Sequence, residues 1–329
     1  MAGLHEVAKL SGVSKSTVSR VINNEYGVKA STKEKVQKAI DECGYVANQV
    51  ARDLKLQKTN LIGVIVPRMS SNATAKGLDG LSSVIELAGK HVLLANSQQD
   101  NEKEIEYIKR FNQKRVEGIL LYATHLDEAL VKAIKQSAVP VVLIGQDGSL
   151  FNIPSIIHDD VGVGFNAGLR LLEAGASNIG FIGVNSQDIA VDQCRFQGLT
   201  QSLQHSRQIS ALFHSRGEFT IESGYQQTKQ LLLDWPQLDG LFCATDRIAI
   251  GAMKAISEAN KIPGKDIKVL GVGNDELGLV CTPSLSTFNY AFDLSGKKSA
   301  QVLLDLIENK QADVSKLVMS FENIFRQSC

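Results

Sequence analysis

Four side chains of the kind that bind nucleic acid lie together near the start of the chain. They belong to residues 13–23 (VSKSTVSRVIN), and on a helix they share one face: Lys15, Ser16, Ser19 and Arg20. Val18, Val21 and Ile22 fall at positions i, i+3 and i+4 and form an apolar stripe on the opposite face. Lys, Ser and Arg bond base edges and phosphates. The pattern predicts a DNA-reading helix, with the solvated face of an ordinary three-helix domain as the alternative.

The neighbouring segments would hold this helix as the second part of a helix-turn-helix. A short amphipathic segment precedes it, and Ser11-Gly12-Val13 separates the two. Downstream, STKE at 31–34 matches a capping box that would start a third helix, which Gly44 would end. The second helix of such a motif fits the major groove of DNA.

Charge is unevenly distributed along the chain of 329 residues, whose formal net charge is zero. Residues 1–60 hold ten Lys or Arg and six Asp or Glu, so they carry +4 and the remainder carries −4. A basic head on a mildly acidic body predicts that only the head meets phosphate. The length allows a small domain and a larger two-lobed one.

The cysteines and the start of the chain predict a cytoplasmic protein. Five scattered cysteines show no CxxC or Cys/His spacing, so we expect reduced thiols and no metal site: Cys43, Cys194, Cys243, Cys281 and Cys329. Helix-turn-helix sequence follows Met1 directly, without the charged start and apolar run of a signal peptide. No apolar run approaches the ~20 residues that span a bilayer, so we expect no membrane partner.

From Leu61 onwards, short β-branched runs alternate with helical stretches. The runs predict buried parallel strands in two successive sets, 61–67, 91–96, 116–123 and 140–145, then 178–184, 209–215, 238–244 and 267–273. Later strands near 286–290 and 317–321 would cross back between the sets. The predicted fold class is therefore α/β, with a helix-turn-helix head followed by two doubly wound parallel-sheet lobes.

Polar and aromatic side chains follow the strands of both lobes, at the edge where ligands of open α/β sheets bind. A sugar needs planar donors and acceptors for its hydroxyls and an aromatic face for its C–H surface. The candidates for such a cleft are Arg68, Ser71, Gln146, Asp147, Asp192, Arg195, Phe219, Thr245, Asn274 and Tyr290. Asp246, Asp275 and Phe292 also lie just after strands or on the crossing segment. Each of these residues could equally be a solvated loop residue or a helix cap, and Thr245, Asp246 and Asp275 are especially suited to caps.

The head and the segment after it resemble the lac-repressor (LacI/GalR) family of transcriptional regulators. LHEVAKLSGVSKSTVSRVINN, STKEKV and GYVANQVARDLK carry the likeness, which continues at lower density to the C-terminus. The resemblance implies a helix-turn-helix domain at 1–47, a hinge helix at 48–58, and an effector-binding and dimerisation domain at 59–329. The last would have the fold of type I periplasmic binding proteins.

The resemblance also implies roles in DNA binding. Lys15, Ser16 and Arg20 would contact bases, and a second set would position phosphates, namely Ser14, Thr17, Asn23 and Tyr45. Leu54 would be the apolar wedge between base steps, a device that kinks DNA by unstacking. One departure is Ala47, which stands where the family usually has Pro.

In the body, the resemblance makes Arg195 the sugar-binding arginine and Phe219 the aromatic that stacks on the sugar. GVGND places Asn274 where the family usually has a carboxylate. Arg68 and Arg195 together could bind a phosphate, since guanidinium groups bind such oxygens bidentately. GVIVPRMSSNATAKGLDGL and KHVLLANSQQDNEKEIEYI are most similar to repressors of sucrose operons, which implies sucrose, fructose or fructose phosphate as effector.

These patterns predict a repressor without enzymatic activity or cofactor. We expect a homodimer on palindromic operator DNA, released by a small sugar or sugar phosphate. SFENIFRQSC lacks the leucine heptad of tetrameric family members. A sugar-binding receptor of the same fold is the alternative. An enzyme is a third hypothesis, supported only by lone Gly-rich fragments and by His158-Asp159-Asp160, which a solvated strand end also explains.

Overall fold

A computed structural model describes residues 3–23, 25–45, 59–204, 206, 209–309 and 315–329. The chain divides into two compact units, Met1–Thr59 and Asn60–Cys329. The predicted hinge helix at 48–58, together with Leu54 and Ala47, lies outside the described residues.

The first unit contains three helices, α1 (Leu4–Ser11), α2 (Lys15–Ile22) and α3 (Ala30–Cys43). Gly12 has a φ of 69°, a left-handed conformation that lets the chain turn sharply between α1 and α2. Val7, Val18 and Val36, one from each helix, are fully buried in a small core. The predicted helix-turn-helix is therefore present.

The predicted capping box at the start of α3 is wrong. The helix begins at Ala30, and Lys29 is its N-terminal flanking residue, without a side-chain cap. Ser31 thus lies within the first turn, where its hydroxyl cannot act as the cap. The Lys29 carbonyl accepts from the Thr32 and Lys33 N–H groups instead. Gly44 ends the helix as predicted, with a φ of 61°.

The second unit alternates strands and helices. Its first half contains β1 (Leu61–Val66), α4 (Asn72–Leu87), β2 (His91–Asn96), α5 (Asn101–Gln113), β3 (Gly118–Leu121), α6 (Glu128–Lys135), β4 (Val141–Ile144), β5 (Ser155–His158), α7 (Asp160–Glu173) and β6 (Asn178–Gly183). Its second half contains α8 (Arg195–Leu203), β7 (Ala211–Arg216), α9 (Ile221–Asp234), β8 (Gly240–Cys243), α10 (Asp246–Glu258), β9 (Lys268–Val272), α11 (Leu277–Val280), β10 (Ser286–Tyr290), α12 (Phe292–Ile307), β11 (Lys316–Met319) and β12 (Phe321–Ile324).

These strands form two six-stranded sheets, one in each lobe. The first sheet has the order β11-β5-β4-β3-β1-β2 and is parallel throughout. The second has the order β12-β10-β9-β8-β6-β7, with only the β10–β12 pair antiparallel. Central strands such as β3, β4 and β8 are buried along their whole length, because helices cover both faces. The predicted fold class is confirmed.

The chain passes between the lobes three times, after β5, after β10 and after β11. The crossing segment predicted near 317–321 is present as two strands rather than one, because β11 and β12 join different sheets on either side of Ser320. Helix α12 returns to the first lobe and packs closely on α4. A Cβ added at Gly80 of α4 would lie 2.0 Å from the Asp293 carbonyl oxygen, so only glycine permits this approach.

Candidate functional site

The predicted DNA-reading face is exposed on α2. Lys15, Ser16 and Arg20 are exposed, while Val18 on the opposite side is buried. Arg20 Nε lies 3.9 Å from a Glu25 carboxylate oxygen. An exposed pair at this distance contributes little free energy, so the guanidinium can exchange it for a DNA contact.

Three of the four predicted phosphate contacts form hydrogen bonds at the two ends of α2, and the fourth, Tyr45, lies beyond α3. Ser14 caps α2 by accepting from the Thr17 N–H at 3.2 Å, and their two hydroxyl oxygens lie 2.9 Å apart. Asn23 donates to the Ser19 hydroxyl at 3.3 Å. Tyr45 is half-buried against the head core, so its ring packs there whether or not its hydroxyl contacts a phosphate. Leu54 lies outside the described residues.

Two features of the head were not predicted from the sequence. Tyr26 follows α2 and is fully exposed, although aromatic rings usually find packing partners. The N-terminus of α3 has no side-chain cap, which leaves backbone N–H groups of a 14-residue helix available to an anion. The only sequence signal for Tyr26 was its place in a polar turn beside the reading helix.

A cavity of about 430 Å³ lies between the two lobes, at the carboxyl ends of the strands. Six of the ten predicted cleft residues line it: Arg68, Ser71, Gln146, Arg195, Phe219 and Thr245. Asp246, Asp275 and Phe292, which the sequence also placed after strands or on the crossing segment, line it as well. Residues of the lining that were not predicted include Tyr122, Thr124, His158, Asp160, Asp188, Glu218 and Arg247. Tyr122 and Thr124 follow β3 closely, so the strand-end rule could have found them.

Asp147 and Asn274 do not line the cavity, contrary to the sequence prediction. Asp147 Oδ2 accepts from Lys316 Nζ at 2.8 Å on the outer side of the first lobe. Asn274 Oδ1 accepts from Arg326 at 2.8 Å, and its backbone oxygen accepts from Lys76 at 3.2 Å. Cations from other parts of the chain therefore hold both side chains away from the cavity.

Asp192 and Tyr290 are buried beside the cavity and likewise do not line it. Asp192 is fully buried and accepts from the Val184 N–H at 3.1 Å and from Arg216 Nε at 2.9 Å. The Tyr290 hydroxyl donates to Asp160 at 2.9 Å. These contacts give both residues supporting positions behind the cavity wall, and the prediction that they contact the ligand is corrected.

Arg195 is held by its own lobe. Its Nε and one terminal nitrogen each lie 2.7 Å from Asp160 Oδ1, and the other terminal nitrogen donates to the Ala244 carbonyl. The residue is only 6% exposed. Because the Asp160 carboxylate neutralises this guanidinium, Arg195 is not available to bind a phosphate together with Arg68.

Arg68 provides the donors that the cavity leaves unused. Its guanidinium carbon lies 3.7 Å from the centroid of the Phe219 ring, which belongs to the other lobe. Among the described residues it has neither a hydrogen-bond partner nor an ion pair, and its Nε is buried. Burial lowers the pKa of Arg68 to about 10, so it is still charged at neutral pH.

Asp188 and Gln146 join the lobes across the cavity. Gln146 follows β4 in the first lobe, and its Nε2 donates to Asp188 Oδ1 in the second lobe at 3.0 Å. The same oxygen accepts from the Val191 N–H at 3.1 Å. Burial raises the pKa of Asp188 to about 6, which leaves a carboxylate that can accept from a ligand at neutral pH.

The second lobe closes the site with a polar wall at the start of α10. Thr245 caps this helix by accepting from the Ile248 N–H at 3.4 Å, so the cap role weighed for it is present. Asp246 is buried and accepts from the Thr287 hydroxyl at 2.6 Å and from the Asp275 N–H at 2.7 Å. Burial raises the pKa of Asp246 to about 6. Arg247 lies 3.3 Å from Asp275.

The described part of the chain contains no group of three or more His, Cys, Asp or Glu that could hold a metal ion. None of its helices combines the length and apolarity needed to cross a membrane.

The comparison with known proteins covers both units. Residues 3–48 match the model for bacterial regulatory proteins of the lacI family, and residues 169–329 match a periplasmic binding protein-like domain. The sucrose operon repressor of Staphylococcus xylosus is 32% identical over 98% of this chain and 100% of its own length. The chain belongs to the lacI family of bacterial regulatory proteins.

Solved structures agree with this lacI-family assignment. The lac repressor dimer bound to operator and the anti-inducer ONPF has a TM-score of 0.91 and 27% identity, covering 99% of this chain and 98% of that one. A complex of the transcriptional regulator CelR with cellobiose has a TM-score of 0.73 and 26% identity over 100% of both chains. The lacI-family protein is thus a DNA-binding transcriptional repressor that responds to a sugar or other effector, and the predicted family is confirmed.

Proposed function

We propose that this lacI-family regulator represses a sugar-utilisation operon and is released from its operator by a neutral sugar bound between the lobes. Sucrose, or a sugar derived from it such as fructose, is the effector we favour, because the Staphylococcus xylosus relative is a sucrose operon repressor. The protein would act in the cytoplasm as a homodimer, whose two heads read the two halves of a palindromic operator.

The charge of the cavity favours a neutral sugar over a sugar phosphate. Its lining carries five carboxylates, Asp160, Asp188, Asp246, Asp275 and Glu218, against three guanidinium groups, Arg68, Arg195 and Arg247. Two of the three guanidinium groups are already paired with carboxylates. A phosphate dianion would therefore meet a surplus of negative charge, whereas sugar hydroxyls can donate to these carboxylates.

The observation that carries the proposal is the arrangement of Arg68, Phe219 and Asp188. Phe219 provides apolar ring surface beside the Arg68 guanidinium that covers one of its faces, Arg68 provides unused N–H donors, and Asp188 provides an acceptor on the same cavity. Sugars are bound by this combination of an apolar surface and a few fixed polar groups. The cavity volume of about 430 Å³ falls within the range of small-molecule sites, about 300–1,000 Å³.

The experiment that tests the proposal measures sugar binding and its effect on the operator together. Sucrose, fructose, glucose and fructose 6-phosphate are titrated into the full-length protein by calorimetry, and anisotropy follows a labelled palindromic operator selected from random DNA. We expect sucrose or fructose to bind and to weaken operator binding, and fructose 6-phosphate to bind more weakly. Tighter binding of the phosphate would contradict the neutral-sugar assignment.

Arg68→Met supplies the site-specific arm, because it keeps the length of the side chain and removes its donors. The variant should bind sugar more weakly than wild type does, and it should keep its affinity for the operator. Arg110→Met is the matched control, since Arg110 is exposed on α5 and also lies over an aromatic ring, that of Tyr107. Sugar binding without any effect on operator affinity would favour the alternative, a sugar-binding receptor of this fold without a regulatory role.

A further inference from the structure

Glu104 is a buried carboxylate beneath the wall of the cavity that the site described above does not use. It lies on α5 and is fully buried. Its Oε1 accepts from the Thr124 hydroxyl at 2.9 Å, from the Thr124 N–H at 3.2 Å and from the Ser97 hydroxyl at 3.4 Å. Glu104 therefore holds together the two loops that follow β2 and β3, without lining the cavity itself.

Thr124 passes this restraint to the cavity. The Thr124 carbonyl accepts from Gln146 Nε2 at 3.2 Å, and that nitrogen also donates to Asp188 in the second lobe at 3.0 Å. Both amide hydrogens of Gln146 are thereby used, which fixes the plane of the amide and leaves its oxygen for other partners. A continuous chain of hydrogen bonds runs from Glu104 to the opposite lobe.

We infer that Glu104 is a positioning residue for effector binding, because its carboxylate fixes Thr124 and Thr124 fixes the Gln146 amide that links the lobes. The inference rests on the proposed function, since it concerns the sugar that this site would bind. Bonds to a charged carboxylate are roughly twice as strong as those to a neutral group, so the charge of Glu104 matters for this restraint.

The surroundings of Glu104 make its charge sensitive to pH. Burial, with a smaller contribution from the Asp100 carboxylate at the start of the same helix, raises the pKa of Glu104 to about 7. His125 and Asp127 lie in the adjacent β3–α6 loop, which Asn101 of α5 joins by bonds to both. Oε2 is buried without a hydrogen-bond partner among the described residues, so a proton there would find no acceptor. As pH falls through about 7, the bonds to Thr124 should weaken.

The test compares Glu104→Gln with Glu106→Gln in the full-length protein, with sucrose as the probe between pH 6.5 and 8.5. Wild-type affinity, measured by calorimetry, should fall as the pH is lowered. Glu104→Gln should bind sucrose more weakly at pH 8.5 by a factor between about 2 and 30, the range for residues that act through others, and should lose this pH dependence. Glu106 is the matched control, because it is exposed on the same helix and, among the described residues, pairs only with Arg110.

A second readout needs no sugar. Hydrogen exchange of the Thr124 amide should be faster in Glu104→Gln than in wild type, and unchanged in Glu106→Gln. Thr124→Val, which removes the hydroxyl and keeps the N–H, should also weaken sucrose binding, and it serves if Glu104→Gln fails to fold. A residue needed only for folding would lower the melting temperature and leave the pH profile of sucrose affinity intact.

The outcomes separate this inference from the proposed function. Suppose that Glu104→Gln binds sucrose as tightly as wild type, keeps the wild-type pH profile of affinity and shows unchanged hydrogen exchange at Thr124. This result would overturn the inference, but the proposal of sugar binding would stand. If wild-type protein binds no sucrose, the sucrose assignment fails and Thr124 exchange alone decides: faster exchange in Glu104→Gln supports the positioning role and equal exchange rejects it.

Discussion

The guanidinium of Arg68 and the ring of Phe219 face each other across the cleft, with the guanidinium carbon 3.7 Å from the ring centroid. Arg68 follows β1 in the first lobe and Phe219 precedes α9 in the second. A cation over an aromatic face contributes about 0.5–1 kcal/mol when exposed and about 2 kcal/mol when desolvated, and Arg68 is partly buried. This contact therefore joins the lobes and shapes one wall of the cavity.

Phe219→Leu should weaken sugar binding, because it removes the aromatic face and loosens Arg68. We expect a loss of about 1–2 kcal/mol in binding free energy, measured by calorimetry with the sugar that binds wild type best. Tyr107→Leu is the control, because Arg110 lies 6.0 Å from the Tyr107 ring centroid on the protein surface. Equal sugar affinity in Phe219→Leu and wild type would rule out a stacking role for this ring.

Asp160→Ala should destabilise the second unit strongly. It would leave the Arg195 charge buried without its carboxylate, and breaking a buried pair in this way costs about 3–5 kcal/mol. The Tyr290 hydroxyl would lose its acceptor as well. Urea unfolding measures the change. Asp293→Ala, which removes the exposed partner of Lys297, should change the free energy of unfolding by less than about 1 kcal/mol. If both variants lost a similar free energy of unfolding, burial would not be the reason for the large cost expected of Asp160→Ala.

The fold was predictable because its strands are short, apolar and β-branched. The predicted run 91–96 coincides with β2, His91–Asn96, and the run 61–67 exceeds β1 by one residue. Such local patterns depend only on neighbouring residues. The start of α3 was misplaced because Ser31 has good cap chemistry, but the cap position lies two residues earlier, at Lys29, and the helix begins at Ala30.

The cavity was only partly predictable, because contacts distant in sequence decide which polar residues face it. Asp147 follows a strand as Gln146 does, but Lys316 holds it outside. Asp188 was missed because it caps a π-helical turn, Ile189–Cys194, whose wider winding gives no recognisable periodicity. The cross-lobe bond from Gln146 to Asp188 likewise depends on how the two sheets face each other.

Asp188→Asn should change how stability depends on pH. Burial raises the pKa of Asp188 to about 6, so the folded state holds this proton more tightly than the unfolded chain does. The stabilisation of the folded state by this proton is fully present below about pH 4 and is lost as pH rises through 6. The free energy of unfolding of the variant, relative to that of wild type, should therefore rise by on the order of 3 kcal/mol between pH 4 and pH 7, because Asn never ionises.

Urea unfolding at pH 4, 5, 6 and 7 measures this difference. Asp234→Asn is the control, because that carboxylate is exposed and, in the described part of the chain, accepts only from Gln230 on the surface of α9. The difference between Asp188→Asn and wild type should rise with pH, and that for the control should stay flat. A flat difference for both would show that Asp188 ionises as freely in the folded protein as in the unfolded chain.

Arg20→Ala and Lys15→Ala should separate base reading from phosphate binding on α2. Both side chains are exposed on the face opposite Val18, but the rigid planar guanidinium of Arg matches the two acceptors of a guanine edge better than the flexible ammonium of Lys. Arg20→Ala should cost about 1–3 kcal/mol of operator affinity and relax preference at one base position. If Lys15 contacts phosphate rather than a base, Lys15→Ala should weaken binding to DNA of every sequence by a similar factor. It should also lower the slope of log affinity against log salt by about one. Anisotropy titrations over operator variants and salt concentrations measure both. A uniform loss across sequences for Arg20→Ala would instead place Arg20 on the phosphate backbone.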